Sequence, residues 1–205
     1  SKSIETRRYT GLVVSPATVN VVTRVSGDLC ELGFQEGDFV KEGQLLYRLD
    51  DIRYSAQVKN AEAKVTELRA RVVYSKNNYN RINELFGRDV TTRDEMENAL
   101  SEYDATQASF AAAESSLVLA KDDLKNTRIY AAINGKIGAT NYTVGNYITP
   151  NSGVLATIVQ LDPIRLKFSI SNRDFLQMFG NADKLSRTGK VKIVLADDSI
   201  YCKDG

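Results

Sequence analysis

The side chains that most often perform chemistry in proteins are sparse in this 205-residue sequence. It contains no histidine, which removes the commonest general base and the commonest metal ligand. Only two methionines, Met96 and Met178, are present, which argues against a thioether copper site. Cys30 and Cys202 are far apart and form no motif, so we expect two buried or half-buried thiols. Whether they pair is left open, because a disulfide needs Cα atoms within about 7 Å.

Adjacent carboxylates are the remaining candidates for acid–base catalysis. Three such pairs lie at predicted helix ends or turns: Asp50-Asp51, Asp122-Asp123 and Asp197-Asp198. Acids at these places cap helices or remain solvated. The glycine-containing segment 33–38 lacks the lysine and hydroxyl residue of a phosphate-binding loop. The sequence therefore predicts no catalytic residue, no metal site and no cofactor, and we do not expect an enzyme.

The overall composition is ordinary for a soluble globular protein, with 42% hydrophobic and 26% charged residues. A net charge of +1 gives no support for nucleic-acid binding or for a polybasic contact with a membrane. No apolar run approaches the roughly 18 residues of a membrane span, and no signal peptide is recognisable. We therefore expect either a cytosolic protein or one whose targeting segment has been removed.

One glycine-rich β-motif is present twice, and the copies overlay without a gap when the sequence is shifted by 108 residues. The matched positions are Val25 with Ile133, Gly27 with Gly135, Leu29 with Ile137, Phe34 with Tyr142, Gly37 with Gly145, Val40 with Ile148, and Leu46 with Val154. Short apolar segments between glycine turns predict β-strands. We infer that a small β-domain is split at a turn and that a helical segment is inserted there.

Between the copies, two stretches carry seam residues at alternating spacings of three and four. The first comprises Val58, Ala61, Val65, Leu68, Val72, Ser75, Tyr79, Ile82 and Phe86, and the second Met96, Ala99, Tyr103, Thr106, Phe110, Ala113, Leu117, Ala120, Leu124 and Thr127. This pattern favours a coiled coil, and a short link from about Gly87 to Thr92 makes the helices antiparallel. We expect Gly87 to end the first helix, and Thr92 or Thr91 to cap the second.

These features resemble the periplasmic adaptor subunits of tripartite efflux pumps, also called membrane fusion proteins. The split lipoyl-like repeat and the inserted hairpin carry most of the likeness. Segment 27–49, and the strand Gln160-Leu161-Asp162-Pro163-Ile164 with the following Ser171-Asn172-Arg173-Asp174-Phe175-Leu176, are similar to adaptors of resistance–nodulation–division (RND) multidrug pumps. The resemblance implies an α+β multi-domain fold: a lipoyl-like β-sandwich split by a long antiparallel coiled-coil hairpin, plus a partial antiparallel β-barrel domain.

The expected division of the chain follows from this likeness and from the pattern. Residues 1–24 are entry strands of the barrel, 25–50 the first lipoyl-like half, 51–127 the helical hairpin, 128–158 the second half, and 159–205 an incomplete β-barrel domain. In the last of these, Ser171 or Asn172 caps a short helix, and further strands are predicted at 191–195 and 200–201.

The tip of the hairpin is the candidate site. Arg81, Leu85 and Thr92 have the four- and seven-residue spacings of an Arg-Leu-Ser triad by which family adaptors dock onto an outer-membrane channel. Thr91 fits only with a one-residue slip, and Arg88, beside the triad, is included in the expected docking surface. The pattern alone favours a structural interpretation, with Leu85 in the tip core, Arg81 solvated and Thr92 as N-cap. With the resemblance, docking is favoured and Thr92 is expected to do both.

The resemblance implies a conduit and coupling protein without chemistry of its own. It would link an inner-membrane, proton-driven RND transporter to an outer-membrane channel, and it would self-associate into a ring of six. It would lie in the periplasm, attached to the inner membrane in the full-length protein, of which this chain is expected to be the central piece. No nucleic acid is expected as a partner.

Three alternatives are weighed against this interpretation. A lipoyl or biotin carrier domain needs a lysine at the turn joining the halves, whereas Lys41 and Lys136 lie inside the halves. A metal-efflux adaptor is disfavoured by the absence of histidine. An adaptor of an ATP-driven exporter or of a type I secretion system can share the tip triad, and the segment 161–164 is what favours the proton-driven class.

Overall fold

Ten β-strands, two long α-helices and one short 3-10 helix form within residues 9–163, 165–174 and 194, which the computed structural model describes. The strands are β1 (Gly11–Val14), β2 (Thr18–Val21), β3 (Gly27–Leu32), β4 (Phe39–Val40), β5 (Leu45–Leu49), β6 (Arg128–Tyr130), β7 (Gly135–Ile137), β8 (Tyr147–Ile148), β9 (Ala156–Val159) and β10 (Arg165–Phe168). The helices are α1 (Ile52–Phe86), α2 (Arg93–Asn126) and the 3-10 helix Pro150–Ser152. The chain divides into two units, residues 15–163 and residues 1–14 with 164–205.

In the larger unit, eight strands form two four-stranded antiparallel sheets, in the orders β2-β9-β7-β4 and β6-β5-β3-β8. Each sheet combines strands from both copies of the repeat. Buried side chains from both sheets share one core, which includes Leu29, Val40, Leu46, Tyr47, Leu49, Ile137, Ile148 and Ile158. Because the halves exchange strands in this way, neither copy can complete a sheet by itself.

The pairing between the copies repeats with the offset of 108 residues. Gly27 pairs with Ile148, and the equivalent Gly135 pairs with Val40. The equivalent backbone hydrogen bonds run from the amide of Leu29 to the carbonyl oxygen of Asn146 (2.8 Å) and from the amide of Ile137 to that of Asp38 (3.0 Å). The two halves are therefore related by a local two-fold symmetry over their first two strands.

The third strands of the two copies are shifted by one residue relative to this symmetry. Leu46 is 0% exposed, whereas Val154, its counterpart at the offset of 108, is 44% exposed, and Leu155 takes the buried position. The expectation of an overlay without a gap is therefore wrong over this strand. The physical cause is the turn before it: in the second copy the 3-10 helix Pro150–Ser152 is followed by Gly153 at φ 78°, which adds one residue.

The prediction of two antiparallel helices joined by a short link is confirmed. Helices α1 and α2 contain 35 and 34 residues, so the hairpin extends about 50 Å. Every predicted seam position is buried or half-buried. Only seven helical side chains are fully buried: Tyr54, Val58, Val65, Leu68, Ser75, Ala99 and Ala113. The seam is therefore a narrow stripe, and the outer half of each helix faces solvent.

The base of the hairpin is fixed to the β-domain by hydrogen bonds of α1. The carboxylate of Asp50, rather than that of Asp51, accepts a bond from the amide of Ile52 at 3.0 Å. The hydroxyl of Tyr54 donates to the carbonyl oxygen of Ser26 at 2.7 Å. The first contact satisfies one of the unpaired amides of the helix N-terminus, and the second holds α1 against the end of the first copy.

Further along the hairpin, the seam changes from apolar to polar and aromatic. Near the base, Val65, Leu68 and Ala113 form a small buried cluster. Towards the tip, the hydroxyls of Ser75 and Thr106 lie 2.6 Å apart, and two aromatic rings, Tyr79 and Tyr103, stack at 6.2 Å. Directional pairs of this kind fix the register of two helices but bury less apolar surface.

In the smaller unit, β1 and β10 form a two-stranded antiparallel sheet. Ser171 is the predicted cap that the structure selects, because its hydroxyl oxygen accepts a bond from the amide of Asp174 at 3.1 Å. The predicted packing residues of that helix, Phe175 and Leu176 among them, lie outside the described residues, as do the strands predicted at 191–195 and 200–201 apart from Val194.

The expectation for the cysteines is wrong for Cys30. This residue is exposed on β3, because strand side chains alternate between the two faces of a sheet and the adjacent Leu29 points into the core. Cys202 lies outside the described residues.

Candidate docking site at the hairpin tip

Helix α1 ends in a turn whose left-handed residue is not its glycine. Gly87 has φ −65°, a right-handed helical value, whereas Asp89 has φ 57°. The amide of Val90 donates to the carbonyl oxygen of Leu85, and the amide of Asp89 donates to that of Phe86, both at 3.0 Å. This is a Schellman motif with aspartate, not glycine, in its left-handed position. The prediction that Gly87 ends the helix is confirmed, since α1 ends at Phe86 with Gly87 as its C-cap, but the left-handed position of the motif falls two residues later.

Helix α2 begins with a reciprocal capping box. The hydroxyl oxygen of Thr92 accepts a bond from the amide of Glu95 at 3.3 Å. The carboxylate of Glu95 accepts bonds from the hydroxyl of Thr91 and from the amide of Thr92. The Thr91 hydroxyl first, and then the Thr92 amide, hold the pKa of Glu95 below its ordinary value. Between the two predicted candidates, Thr92 is therefore the N-cap, and Thr91 supports the same turn.

All four residues expected to dock lie at this end of the hairpin. Arg81, Arg88 and Thr92 are exposed, and Leu85 is half-buried. The guanidinium of Arg81 donates to the side-chain oxygen of Asn78 at 2.6 Å. The tip thus presents two cations, an apolar side chain and a hydroxyl close to the link.

An open groove of about 540 Å³ runs along one side of the tip. We call it the tip groove, and its lining residues are Asn78, Ile82, Leu85, Val90, Thr91, Glu95, Asn98, Ala99 and Glu102. Of the four predicted residues, only Leu85 lines it. Sequence reasoning missed the α2 side of this groove, although residues spaced three, four and seven apart share one helix face. Glu95, Asn98 and Glu102 have that spacing.

The acidic pairs considered as catalytic candidates have structural partners. The carboxylate of Asp51 lies 3.3 Å from the guanidinium of Arg128, and that of Asp122 accepts a bond from the side-chain NH2 group of Asn126 at 3.0 Å. Asp197-Asp198 lies outside the described residues. Among the described residues, no group of three or more acidic or cysteine side chains could hold a metal ion.

Neither of the two long helices contains a stretch that is apolar enough to cross a bilayer, and this holds for every helix in the part of the chain that the structure describes.

The fold and its tip define a class of protein: a barrel-sandwich hybrid domain of two interleaved halves, with a long helical hairpin inserted between them. The chain belongs to the membrane fusion proteins of RND systems, since the family model for the RND MFP barrel-sandwich hybrid domain matches residues 17–160. The predicted family and fold class are thereby confirmed.

Individual relatives agree with this assignment. The chain is 29% identical over 188 residues to the multidrug efflux pump subunit AcrA of Escherichia coli K12, covering 89% of this chain and 47% of AcrA. It is 32% identical over 189 residues to the antibiotic efflux pump periplasmic linker protein ArpA of Pseudomonas putida, with 89% and 47% covered. The crystal structure of MacA from Actinobacillus actinomycetemcomitans matches with a TM-score of 0.63 at 25% identity, covering 82% and 58%. The chain thus spans about half the length of the curated relatives it matches.

Proposed function

We propose that this chain is the central part of a periplasmic adaptor that links an inner-membrane, proton-driven RND transporter to an outer-membrane channel in multidrug efflux. Membership of the RND membrane fusion family supports the proposal, as do relatives described as a multidrug efflux pump subunit and a periplasmic linker. The single observation that carries it is the exposed tip of a hairpin about 50 Å long, with Arg81, Leu85 and Thr92 at its end.

In this proposal the tip performs the docking. Arg81 offers several donors in a planar fork, which suits carbonyl or carboxylate groups on the channel. Leu85 supplies a small apolar contact. Because it is half-buried, only part of its side chain is exposed to water in the free tip. Thr92 caps α2 through its oxygen, which leaves its hydroxyl hydrogen for a partner's acceptor. Arg88 adds a second cation beside them.

The exposed sides of the hairpin support the proposal that copies of the chain self-associate, in a ring of six by family resemblance. Large apolar side chains remain exposed on both helices: Val73 (54%), Tyr74 (74%), Val118 (66%) and Leu119 (68%). Contacts between neighbouring hairpins would remove this surface from water.

The proposal includes the location and the division of labour along the chain. The protein lies in the periplasm and the full-length form is attached to the inner membrane. Residues 25–50 and 128–158 form the lipoyl-like domain that stacks in the ring, and residues 51–127 reach towards the channel. Of the segments 1–24 and 159–205 predicted for the barrel domain, residues 1–14 and 164–205 are those outside the larger unit, and we assign these to the barrel domain on the transporter side. Such an adaptor couples its partners mechanically and performs no catalysis.

The test is site-directed photocrosslinking in cells that produce the full-length protein. A photoreactive residue at Arg88 is expected to capture an outer-membrane channel, and the double variant Arg81→Asp, Leu85→Asp should abolish the capture and raise drug sensitivity. The matched control, Lys59→Asp with Ala63→Asp, places the same charges four residues apart on an exposed face near the hairpin base. Capture of other copies only, with drug sensitivity unchanged by the tip variant, would refute docking.

A further inference from the structure

We infer that the tip groove selects its partner by the positions of the partner's hydrogen-bond donors and acceptors. We infer further that Glu102, which lies outside the predicted triad, is a determinant of partner choice. This inference rests on the proposed function. The occupant is a helix end of the outer-membrane channel that carries a lysine, an arginine or a carboxamide beside a small apolar side chain.

The first observation is an unused acceptor on the α2 side of the groove. Among the described residues, no side-chain hydrogen bond or ion pair involves Glu102 or Asn98, both of which line the groove. Two acids line the groove, and the other one, Glu95, is engaged in the capping box. Glu102 is therefore the lining acid whose charge is available to a partner.

The second observation is the opposite polarity of the α1 side. Asn78 lines the groove there, and its side-chain oxygen already accepts a bond from Arg81. The side-chain NH2 group of Asn78 remains available to donate, so this side offers a donor to a partner. The groove thus presents donors along α1 and an anionic acceptor along α2.

The third observation is that the apolar floor between these sides is small. It consists of Ile82, Leu85 and Ala99, with Val90 (68% exposed) at the open end. A partner that covers the floor must also remove water from Glu102, and an unpaired carboxylate resists this strongly. Binding is therefore favourable only for a partner that brings a donor to α2 and an acceptor to α1, and a reversed order is rejected.

Continuity with the docking residues favours the channel over a second copy as the occupant. Leu85 belongs both to the groove and to the proposed docking set, and Val90 and Thr91 of the link line the groove's far end. Whatever contacts Leu85 at the tip must therefore lie against the groove.

The experiment uses the full-length protein in cells, with photocrosslinking at Arg88 as the measure of docking. Glu102→Lys is expected to lower capture of the channel at least about tenfold, as reversal of a desolvated charge contact does, and Glu102→Gln about threefold. The matched control Glu114→Lys makes the same charge change on the same helix, about 18 Å away, and should change capture less than about twofold. Capture is normalised to the amount of folded protein at the membrane.

A second probe, placed at position 102 itself, distinguishes the occupants. Capture of the channel from position 102 supports the inference. Capture of only other copies of this chain overturns it, as does unchanged capture at Arg88 in both Glu102 variants. Failure of the Arg88 probe to capture a channel in the wild-type protein would instead refute the proposed function, so the two failures can be told apart.

Discussion

The β-domain and the helical hairpin are stabilised in different ways. One core cluster of fifteen buried residues comprises fourteen from the β-domain, to which both copies of the repeat contribute, and Tyr54 from the first turn of α1. The hairpin, residues 52–126, is about as long as the rest of residues 15–163, yet its separate cluster has three residues, Val65, Leu68 and Ala113. Hydrophobic stabilisation scales with buried apolar area, so the β-domain is the stable platform and the hairpin depends on helix propensity, caps and neighbours.

This difference matches the roles proposed for the two regions. A platform that exchanges strands between its halves must fold as one unit, because unpairing either half leaves strand edges open in both sheets. A hairpin with a narrow seam can adapt to a partner along its length. Its polar layer, Ser75 with Thr106, maintains the register where apolar packing is thin.

The largest effect on stability is expected from a substitution in the β-domain core. Leu46→Ala should lower the free energy of unfolding by about 2–5 kcal/mol, because it leaves a cavity at a fully buried position. Amide hydrogen exchange should rise together in β3 and β9, which belong to different copies, while the middle of α1 changes little. Faster exchange confined to residues 25–50 would contradict the single folding unit.

Val154→Ala is the control for this substitution. Val154 matches Leu46 at the offset of 108 residues but is 44% exposed, so its truncation should cost about 0.5 kcal/mol or less. If urea unfolding showed the same loss in the free energy of unfolding for both variants, the one-residue shift between the third strands of the copies would be wrong.

An intermediate effect is expected at the turn that closes the hairpin. Gly87→Ala should stabilise α1 by roughly 0.5–1 kcal/mol, since Gly87 is helical and an added Cβ would approach no atom more closely than 3.6 Å. Asp89→Ala should destabilise the turn by about 1 kcal/mol, because alanine disfavours φ 57° more than aspartate does. Circular dichroism during urea unfolding measures both. If both variants changed the free energy of unfolding in the same direction, the assignment of the Schellman motif would be contradicted.

The smallest effect is expected from the capping box at acidic pH. Because the folded-state pKa of Glu95 is lowered, its contribution to stability is present above the unfolded pKa of about 4.3 and is lost as pH falls through the folded value. Amide exchange in the first turn of α2 should therefore increase selectively below about pH 4. Glu95→Gln should remove this pH dependence of amide exchange. If the dependence persisted in that variant, another carboxylate would be responsible for it.

Local rules predicted the helices and their seam. The alternation of three and four along α1 and α2, the position of the link and the N-cap at Thr92 depend on residues close in sequence, and the structure confirms them. At the site, the family resemblance supplied the four docking candidates, which stay a prediction, and it did not indicate the α2 side of the tip groove. Glu102 contributes there only because the antiparallel partner helix places Ile82 and Leu85 across from it.

The repeat shows where sequence reasoning fails. The copies were matched by residue type, and Leu46 and Val154 are both apolar, so type alone did not reveal the additional residue at Gly153. Likewise, Gly87 is the better left-handed residue by type, yet hydrogen bonds from Asp89 and Val90 place the left-handed position two residues later.

The sequence by itself determined the two helices, their antiparallel arrangement and the doubling of the β-motif, because periodicity and turn residues act over a few positions. Only the tertiary structure decided that the halves exchange strands, since pairing Gly27 with Ile148 joins residues 121 positions apart and no local preference encodes it. It also decided why position 135 is glycine: a Cβ there would lie 2.4 Å from the carbonyl oxygen of Val159. Long-range contacts of this kind are chosen by the packing of the whole core, not by any one segment.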